Sequence, residues 1–398
     1  MRHIKLSFFL DLFFKNKSLP AFCKKITNTL LNTTVYETNA KSISKFKNKI
    51  YYIKDIPDYF LTELDKTNMS LKLLSAPLYQ GYLINLTAFS NLEDYLNNKL
   101  GRPRKSQLKR YRKRLDLCIA PEYKIFYGDI LKEEYQNIFK ELILITKRRF
   151  SQKEEFNFEL PYLKLYQEMM YPLLLKKQAA IFCIYYKKKP INITLNFIDG
   201  DTIFHWNSCY NIDYQMFNLG HINMVNHLEW AYENNFKLFD MGRGDFLHKR
   251  KYVNESYIYN ENIIFSSKSI TAYMRVHFRI LKLKTRYQLI NFLKKINFHK
   301  LYGYYAKYKY KIVKSGDIKT TQNKIDVDHN ISKIPELEKL RLIDLNNEAY
   351  GFLIKPLNYF LHKTQEFVHD VTIYIDLDDD QTFYFKGTKK YQKLTVIN

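Results

Sequence analysis

The residues best suited to chemistry lie in one short stretch, Lys237 to Lys251, which reads KLFDMGRGDFLHKRK. An apolar run, Leu238-Phe239, ends at Asp240; the loop Gly242-Arg243-Gly244-Asp245 follows, and Lys249-Arg250-Lys251 form a basic cluster behind it. Two glycines two residues apart at a strand end let the backbone turn sharply and approach a ligand closely. Arg243 and Lys249 bring positive charge to that turn, while Asp240 and Asp245 supply carboxylates that can take a proton, orient an amine or hold the arginine. A tight surface turn with scattered charges is the alternative reading of the same residues.

The elements on either side must position this loop. After Pro121 the pattern is regular: a strand over Tyr123–Tyr127, a helix over Leu131–Thr146, a second over Leu160–Leu175, then strands over Ala179–Tyr186, Ile191–Ile198 and Thr202–Tyr210. A loop, NIDYQMFNL, leads to Gly220 and a helix from His221 to about Asn234; strands follow over Phe236–Met241 and Ser256–Phe265. Upstream, Asn91 caps a helix broken at Gly101 and Pro103, and in KSQLKRYRKRLDL the inward stripe is Leu108, Tyr111 and Leu115. Arg102, Arg104, Lys105, Lys109, Arg110, Arg112, Lys113 and Arg114 cover the rest, either as a solvated face or as a surface for an anionic partner.

Residues 1–90 are the least readable: strands are expected at Ile50–Ile53 and Leu78–Leu86, with Pro57 and Pro77 punctuating loops. A long basic helical stretch from Lys268 to about Phe298 either packs on the core or lies on an anionic surface. Residues 316–330 read as a linker to a small α+β unit, with a helix over Leu357–Phe367 and a hairpin of Val371–Leu377 and Thr382–Phe385 around Asp378-Asp379-Asp380. That acidic turn lacks the spacing of a calcium loop. The expected units are therefore 1–90, 91–267, 268–315 and 316–398.

At 398 residues with 46% hydrophobic content the chain supports two or three domains. Cys23, Cys118, Cys183 and Cys209 form no C-x-x-C pair, which favours reduced thiols over a zinc site or disulfide framework; no metal is expected. MRHIKLSFFLDLFF is faintly like a signal peptide, but Asp11 interrupts it, and a soluble cytoplasmic protein is expected. The net charge of +24 is uneven: residues 316–398 hold 11 Lys+Arg against 13 Asp+Glu, and residues 1–315 hold 53 against 27. A body this basic attracts nucleotide-containing cofactors, RNA or an acidic membrane face.

The segment from about Asn91 to Lys251 resembles the GNAT-type acetyltransferase domain of the CelD-like family of cellulose and exopolysaccharide biosynthesis, and more distantly the FemAB-type peptidoglycan-bridge ligases. The resemblance rests on the order of elements, the Arg-rich helix, YNIDYQMFNLGHINMVNHLEWA, and FDMGRGDFLHKRKY, which is similar to the family's D-x-G-x-G-D-x-x-Y-K signature with His248 at the usual tyrosine. It implies an α/β (α+β) GNAT fold: a mixed, mostly antiparallel sheet flanked by helices, with residues 1–90 as a degenerate half. It also implies acyl-CoA, most simply acetyl-CoA, held between two splayed strands, with its pyrophosphate on Asn218, Leu219, Gly220 and His221 at a helix start. Asp245, Asp240 and His248 are then the catalytic candidates; Arg243 and Lys249 hold an anionic acceptor, and Trp206, Tyr210 and Tyr214 wall its pocket. His205 is a further candidate near the strand ends, although a lone histidine such as His205 or His227 is more often a satisfied core residue than a base.

The leading expectation is acyl transfer to an amine or hydroxyl of a nucleotide sugar or lipid-linked envelope precursor, with peripheral association to an anionic membrane surface. Two others remain open: an aminoacyl-tRNA-dependent transferase, which the basic helix at 102–114 would suit, and an inactive GNAT scaffold that only binds.

Overall fold

The computed structural model describes residues 1–15, 17–38, 49–65, 70–244, 247–296, 298–314, 324–329 and 331–397. The N-terminal part contributes β1 (Arg2–Ser7), β2 (Cys23–Asn28), β3 (Thr33–Glu37), β4 (Lys49–Pro57), β5 (Phe60–Leu64) and β6 (Leu71–Asn85). Next come α1 (Leu92–Tyr95), α2 (Arg102–Ile119), β7 (Glu122–Phe126), α3 (Lys132–Lys153), α4 (Leu163–Leu175), β8 (Ala179–Tyr186), β9 (Lys189–Asp199) and β10 (Thr202–Tyr210). They are followed by α5 (Leu219–Glu233), β11 (Leu238–Arg243), α6 (Leu247–Tyr252), β12 (Glu255–Ser266), α7 (Ile270–Lys295) and α8 (His299–Lys314). The C-terminal unit holds β13 (Lys324–Asp328), β14 (Leu340–Leu342), α9 (Ile354–Thr364), β15 (Thr372–Asp376), β16 (Thr382–Lys386) and β17 (Tyr391–Ile397).

Nine strands form one sheet in the order β1-β4-β12-β6-β11-β10-β9-β8-β7. Only β1–β4 and β10–β11 pair in parallel among these; the other neighbours are antiparallel. The sheet runs across the sequence boundary at 90: β6 lies between β11 and β12, and β4 and β1 extend the far edge. The signal-like N-terminus is β1 followed by a helical turn over Phe8–Phe13, which buries Phe8, Phe9, Leu12 and Phe13.

Pro77 lies inside β6 rather than in a loop. The register slips there, with Tyr79 opposite Tyr259 and Pro77 opposite Asn260, so the proline sits at a bulge where no ladder donor is needed. Alternation along the strands sends Leu195, Phe197, Phe204 and Leu238 to one face under α3, α4 and the Phe8–Phe13 turn. Ile198, Ile203, Phe239 and Met241 face the other way, in a core shared with Tyr95 and Leu96 near α1, Leu108 of α2 and Leu228 of α5.

The Arg-rich α2 buries Leu108 and Leu115 and half-buries Tyr111. Three of its arginines tie neighbouring elements together: Arg104 meets His221, Arg112 reaches Asn226 and Glu229, and Arg114 lies 3.2 Å from His362. The C-terminal unit is a five-stranded sheet, β13-β17-β16-β15-β14, with α9 against it. It joins α2 and the Ile212–Phe217 turn through one apolar core containing Leu115, Phe217, Leu357 and Phe360. Asn358 donates to the Asp213 carbonyl at 3.0 Å across this junction.

Candidate functional site

The strand β11 is held by β10 on one side and β6 on the other, but only over part of its length. Thr202, Ile203 and Phe204 pair in register with Leu238, Phe239 and Asp240, and the parallel ladder then stops. Beyond it β10 carries a bulge between His205 and Asn207, and β11 shifts register against β6 between Asp240 and Arg243. The strands diverge from Asp240 onward, and the β10–β11 ladder does not continue along Trp206 to Tyr210. A strand edge released from its neighbour in this way can take up an extended, amide-bearing ligand through its backbone.

Asp240 stands at the point of divergence and is 1% exposed. Its carboxylate accepts from the Tyr59 hydroxyl at 2.6 Å, the Tyr257 hydroxyl at 2.7 Å and the Gly242 N–H at 2.6 Å. Burial raises its pKa, and those three donors with Lys249 oppose the rise. The Tyr257 hydroxyl lies 2.6 Å from that of Tyr259; since Tyr257 donates to Asp240, Tyr259 donates to Tyr257. All three tyrosines are fully enclosed, and burial beside the carboxylate drives their pKa values far up. Tyr257 belongs to β12 and must cross β6 to reach β11. It does so over Gly81, where any Cβ would collide with the ring.

The chain of polar groups continues outward. Tyr79 packs against Tyr259, donates to Asp55 and lies under the Arg243 guanidinium, 5.9 Å from the ring centre. Arg243 pairs with Glu159 at 3.2 Å, and Glu159 accepts from the Tyr166 hydroxyl at 2.5 Å. Tyr166 makes an edge contact with Trp206, whose indole N–H is buried next to it without a hydrogen bond of good geometry. Lys249 reaches back from α6 to donate to the carbonyls of Met241 at 2.5 Å and Arg243 at 2.6 Å, strapping the diverging end of β11. Burial, followed by the repulsion of Arg243, lowers its pKa to about 8.

Residues 102–250 match the family model of the Acetyltransferase (GNAT) domain. The chain therefore carries an acyltransferase domain of the GNAT type, in a mixed sheet flanked by helices. No curated protein matches it. Solved structures align at low similarity. L-PGS from Bacillus licheniformis is 11% identical over 60% of this chain and 73% of that one, with a TM-score of 0.33. FemX is 10% identical over 55% and 72%, with a TM-score of 0.39. A tandem GNAT protein from the clavulanic acid biosynthesis pathway is 9% identical over 55% and 64%, with a TM-score of 0.30. None of the three is near enough to lend this chain an activity or a substrate.

Within the GNAT domain, the sequence-derived candidates fall into separate groups. Asp240, Arg243, Lys249 and Trp206 gather on or beside the divergence of β10 and β11. Asn218, Leu219, Gly220 and His221 open α5. Leu219 is buried, Gly220 is exposed with open space where a side chain would project, and His221 lies between Arg104 and the Tyr252 hydroxyl, 2.9 Å away. The His221 and Ile222 N–H groups donate to the Asn218 carbonyl at 2.9 and 3.3 Å, so this surface offers the Arg104 cation and the open space at Gly220 beside the positive end of the helix.

Tyr210 stacks under Arg149 at 4.1 Å at the far end of β10. Tyr214 is buried in the junction with the C-terminal unit against Tyr186, in an apolar core that Tyr210 also flanks, whereas Trp206 packs on the core of the other face. Asp245 and the His248 side chain lie outside the described residues. His227 is a neutral core residue: stacked on Phe182 and bonded to Asn223 and Asn196, with its pKa lowered by burial to about 4. His205 packs beside it. No cluster of metal-ligating side chains exists among the described residues. The Asp378–Asp380 turn is closed by Asp379 accepting from Gln381 and Thr382.

Sequence reading passed over Tyr59, Tyr79, Tyr257, Tyr259, Glu159 and Tyr166. The one local signal was Tyr257-x-Tyr259, two like residues on one face of a strand.

Proposed function

We propose that this chain takes an acyl group from acyl-CoA, acetyl-CoA in the simplest case, and transfers it to an amine or hydroxyl of a sugar or lipid-linked envelope precursor. The observation that carries this reading is the divergence of β10 and β11 beside the open, cation-flanked start of α5. The pantetheine arm would lie along β10 past the end of its ladder with β11, and the pyrophosphate at Gly220 and His221 with Arg104 behind it. The acceptor nitrogen or oxygen attacks the thioester carbon; the new C–N or C–O bond forms, the C–S bond breaks, and the acceptor's proton leaves to a base while the thiolate is protonated. Asp245 is the proposed base or amine-orienting group. Asp240 is sealed beneath tyrosines, so it acts through Tyr257 and Tyr259 rather than on substrate. Arg243 faces the acceptor as the exposed cation of the loop, and Lys249 holds the loop backbone in place through the Met241 and Arg243 carbonyls.

Thermal shift with acetyl-CoA and longer acyl-CoAs tests the donor. At one hundred times its dissociation constant a donor adds about 2.7 kcal/mol of stability. Absence of any acyl-CoA shift, together with transfer from charged tRNA, would replace this reading by the aminoacyl-tRNA one.

A further inference from the structure

Outside the site, α7 and α8 have a composition and a surface that the transferase reading does not use. Residues 268–314 contain 13 Lys and Arg and no Asp or Glu. Helix α7 is fixed to the sheet by Ala272, Val276 and Leu283, which are buried, and by Arg279, which grips the buried Glu261 at 2.8 and 2.9 Å. Its opposite side is apolar and exposed. Ile270 is 76% exposed, Met274 67%, Phe278 70% and Leu281 62%, and Leu289 and Phe292 continue the row. At 3.6 residues per turn these six positions fall within an arc of roughly 100°, facing away from the buried three. Arg275, Lys282 and Arg286 border one side of the row and Lys284 and Lys295 the other, all exposed. In α8, Tyr304 and Tyr308 are exposed one turn apart.

We propose that α7, with α8, seats the protein on the surface of a bilayer containing anionic lipid. An apolar row bordered on both sides by long cationic side chains fits that boundary: the row enters the acyl region, the lysines and arginines extend to the headgroup phosphates, and tyrosines sit at the interface. A nucleic acid would answer the charge but offers nothing to the Ile270–Phe292 row. A second copy of the chain would cover the row only by bringing two uniformly cationic helices together. No helix among the described residues is long and apolar enough to cross a membrane, so α7 lies on the surface. The pair also borders the candidate site. Tyr310 of α8 packs on Phe156 and Lys311 pairs with Glu154, in the segment that leads through the exposed Phe158 to Glu159.

Flotation of the full chain with phosphatidylcholine vesicles, with and without phosphatidylglycerol, tests the proposal. Binding is expected to the anionic vesicles alone and to weaken with salt. Phe278→Glu/Leu281→Glu should lower partition roughly tenfold or more by removing inserted apolar surface. Lys282→Gln/Arg286→Gln should lower it roughly fivefold per charge. Both should melt as wild type, because these side chains support no core; Met274→Gln/Phe292→Gln stands in if the glutamate pair misfolds. Three results would overturn the proposal: no binding to anionic vesicles, binding indifferent to the apolar substitutions, or a dimer that the same substitutions split while vesicles are ignored. Tight RNA binding without vesicle binding would equally reject it.

Discussion

Replacing Asp240 by Asn isolates the buried carboxylate with almost no change of shape. The wild-type carboxylate accepts from Tyr59, Tyr257 and the Gly242 N–H. The amide keeps one acceptor oxygen, but its NH2 group must face a tyrosine hydroxyl that had been donating. One buried donor is left unmatched, at about 1–3 kcal/mol, and the remaining bonds lose their charge assistance. Relief from burying a charge offsets part of this, for a net loss of about 2 kcal/mol. The pH dependence is the sharper test. Asp240 has a raised folded-state pKa, chiefly from burial, so between its ordinary value of 3.8 and the raised one the folded state binds the extra proton. Its contribution to stability is therefore full at low pH and is lost as pH rises through that window. The asparagine has no such term. The stability gap between the two proteins should widen toward acid, by about 1.4 kcal/mol for each unit by which the pKa is raised. Urea unfolding of both proteins from acid to neutral pH measures the gap directly. A gap that narrows toward acid would mean the site stabilises the anion, and the argument from burial would fail. Tyr257→Phe should reproduce much of the loss in stability, and the double variant should lose less than the sum, because the two groups act as one unit.

Gly81→Ala should destabilise the protein by about 2 kcal/mol or more in thermal unfolding, since the added methyl displaces the Tyr257 ring and so parts Tyr257 from Asp240. Gly220→Val should leave melting within about 0.5 kcal/mol of wild type, because a side chain there meets no atom, yet weaken acyl-CoA binding roughly tenfold or more in calorimetry. Arg243→Ala should cost under about 1 kcal/mol, as its pairing with Glu159 is largely exposed, while raising KM for an anionic acceptor at unchanged kcat. Lys249 has a folded-state pKa of about 8 against an ordinary 10.5, so the unfolded chain binds more protons between those values and stability should rise with pH across them. Lys249→Met should abolish that rise in urea unfolding, at the expense of the bonds to Met241 and Arg243.

Where an element draws its stability from its own period, the sequence pattern was sufficient. The strand expected at Ala179–Tyr186 and the one at Thr202–Tyr210 have those limits, and the helices of 131–146, 160–175 and 221–234 differ only at their ends. The first of those strands is a continuous apolar run, the second follows the clear Asp199-Gly200-Asp201 turn, and the helices carry full apolar stripes. The N-terminal ninety residues were not legible because their order is tertiary. The helical turn of Phe8–Phe13 has no period of its own; Phe9, Phe13 and Phe14 pack against Phe204, and Phe14 also stacks on Phe197. The Pro77 bulge had the same effect, turning the interior of a central strand into an apparent loop. For the site, the sequence offered Asp240 and Arg243 because they are local to a glycine turn. Their partners Tyr59, Tyr79 and Tyr257 reach them from other strands, at separations that no local pattern encodes.

This distribution of partners has a consequence for what counts as the working unit. Residues 102–250 carry the GNAT match and both strands of the divergence, yet β11 takes its second neighbour, β6, from residues 71–85. Asp240 takes one hydroxyl from Tyr59, upstream of the matched region, and another from Tyr257, downstream of it. A fragment limited to the matched residues would leave one edge of β11 unpaired. It would also leave Asp240 without either tyrosine donor, and an uncompensated charge costs several kcal/mol wherever it stays buried. The carboxylate would then protonate or swing to solvent, and the Gly242–Gly244 turn, whose first N–H it holds, would lose its anchor. The strands before residue 90 are thus part of the candidate site: they close the sheet, supply Tyr59 and Tyr79, and through Gly81 let Tyr257 reach the strand where β10 and β11 part.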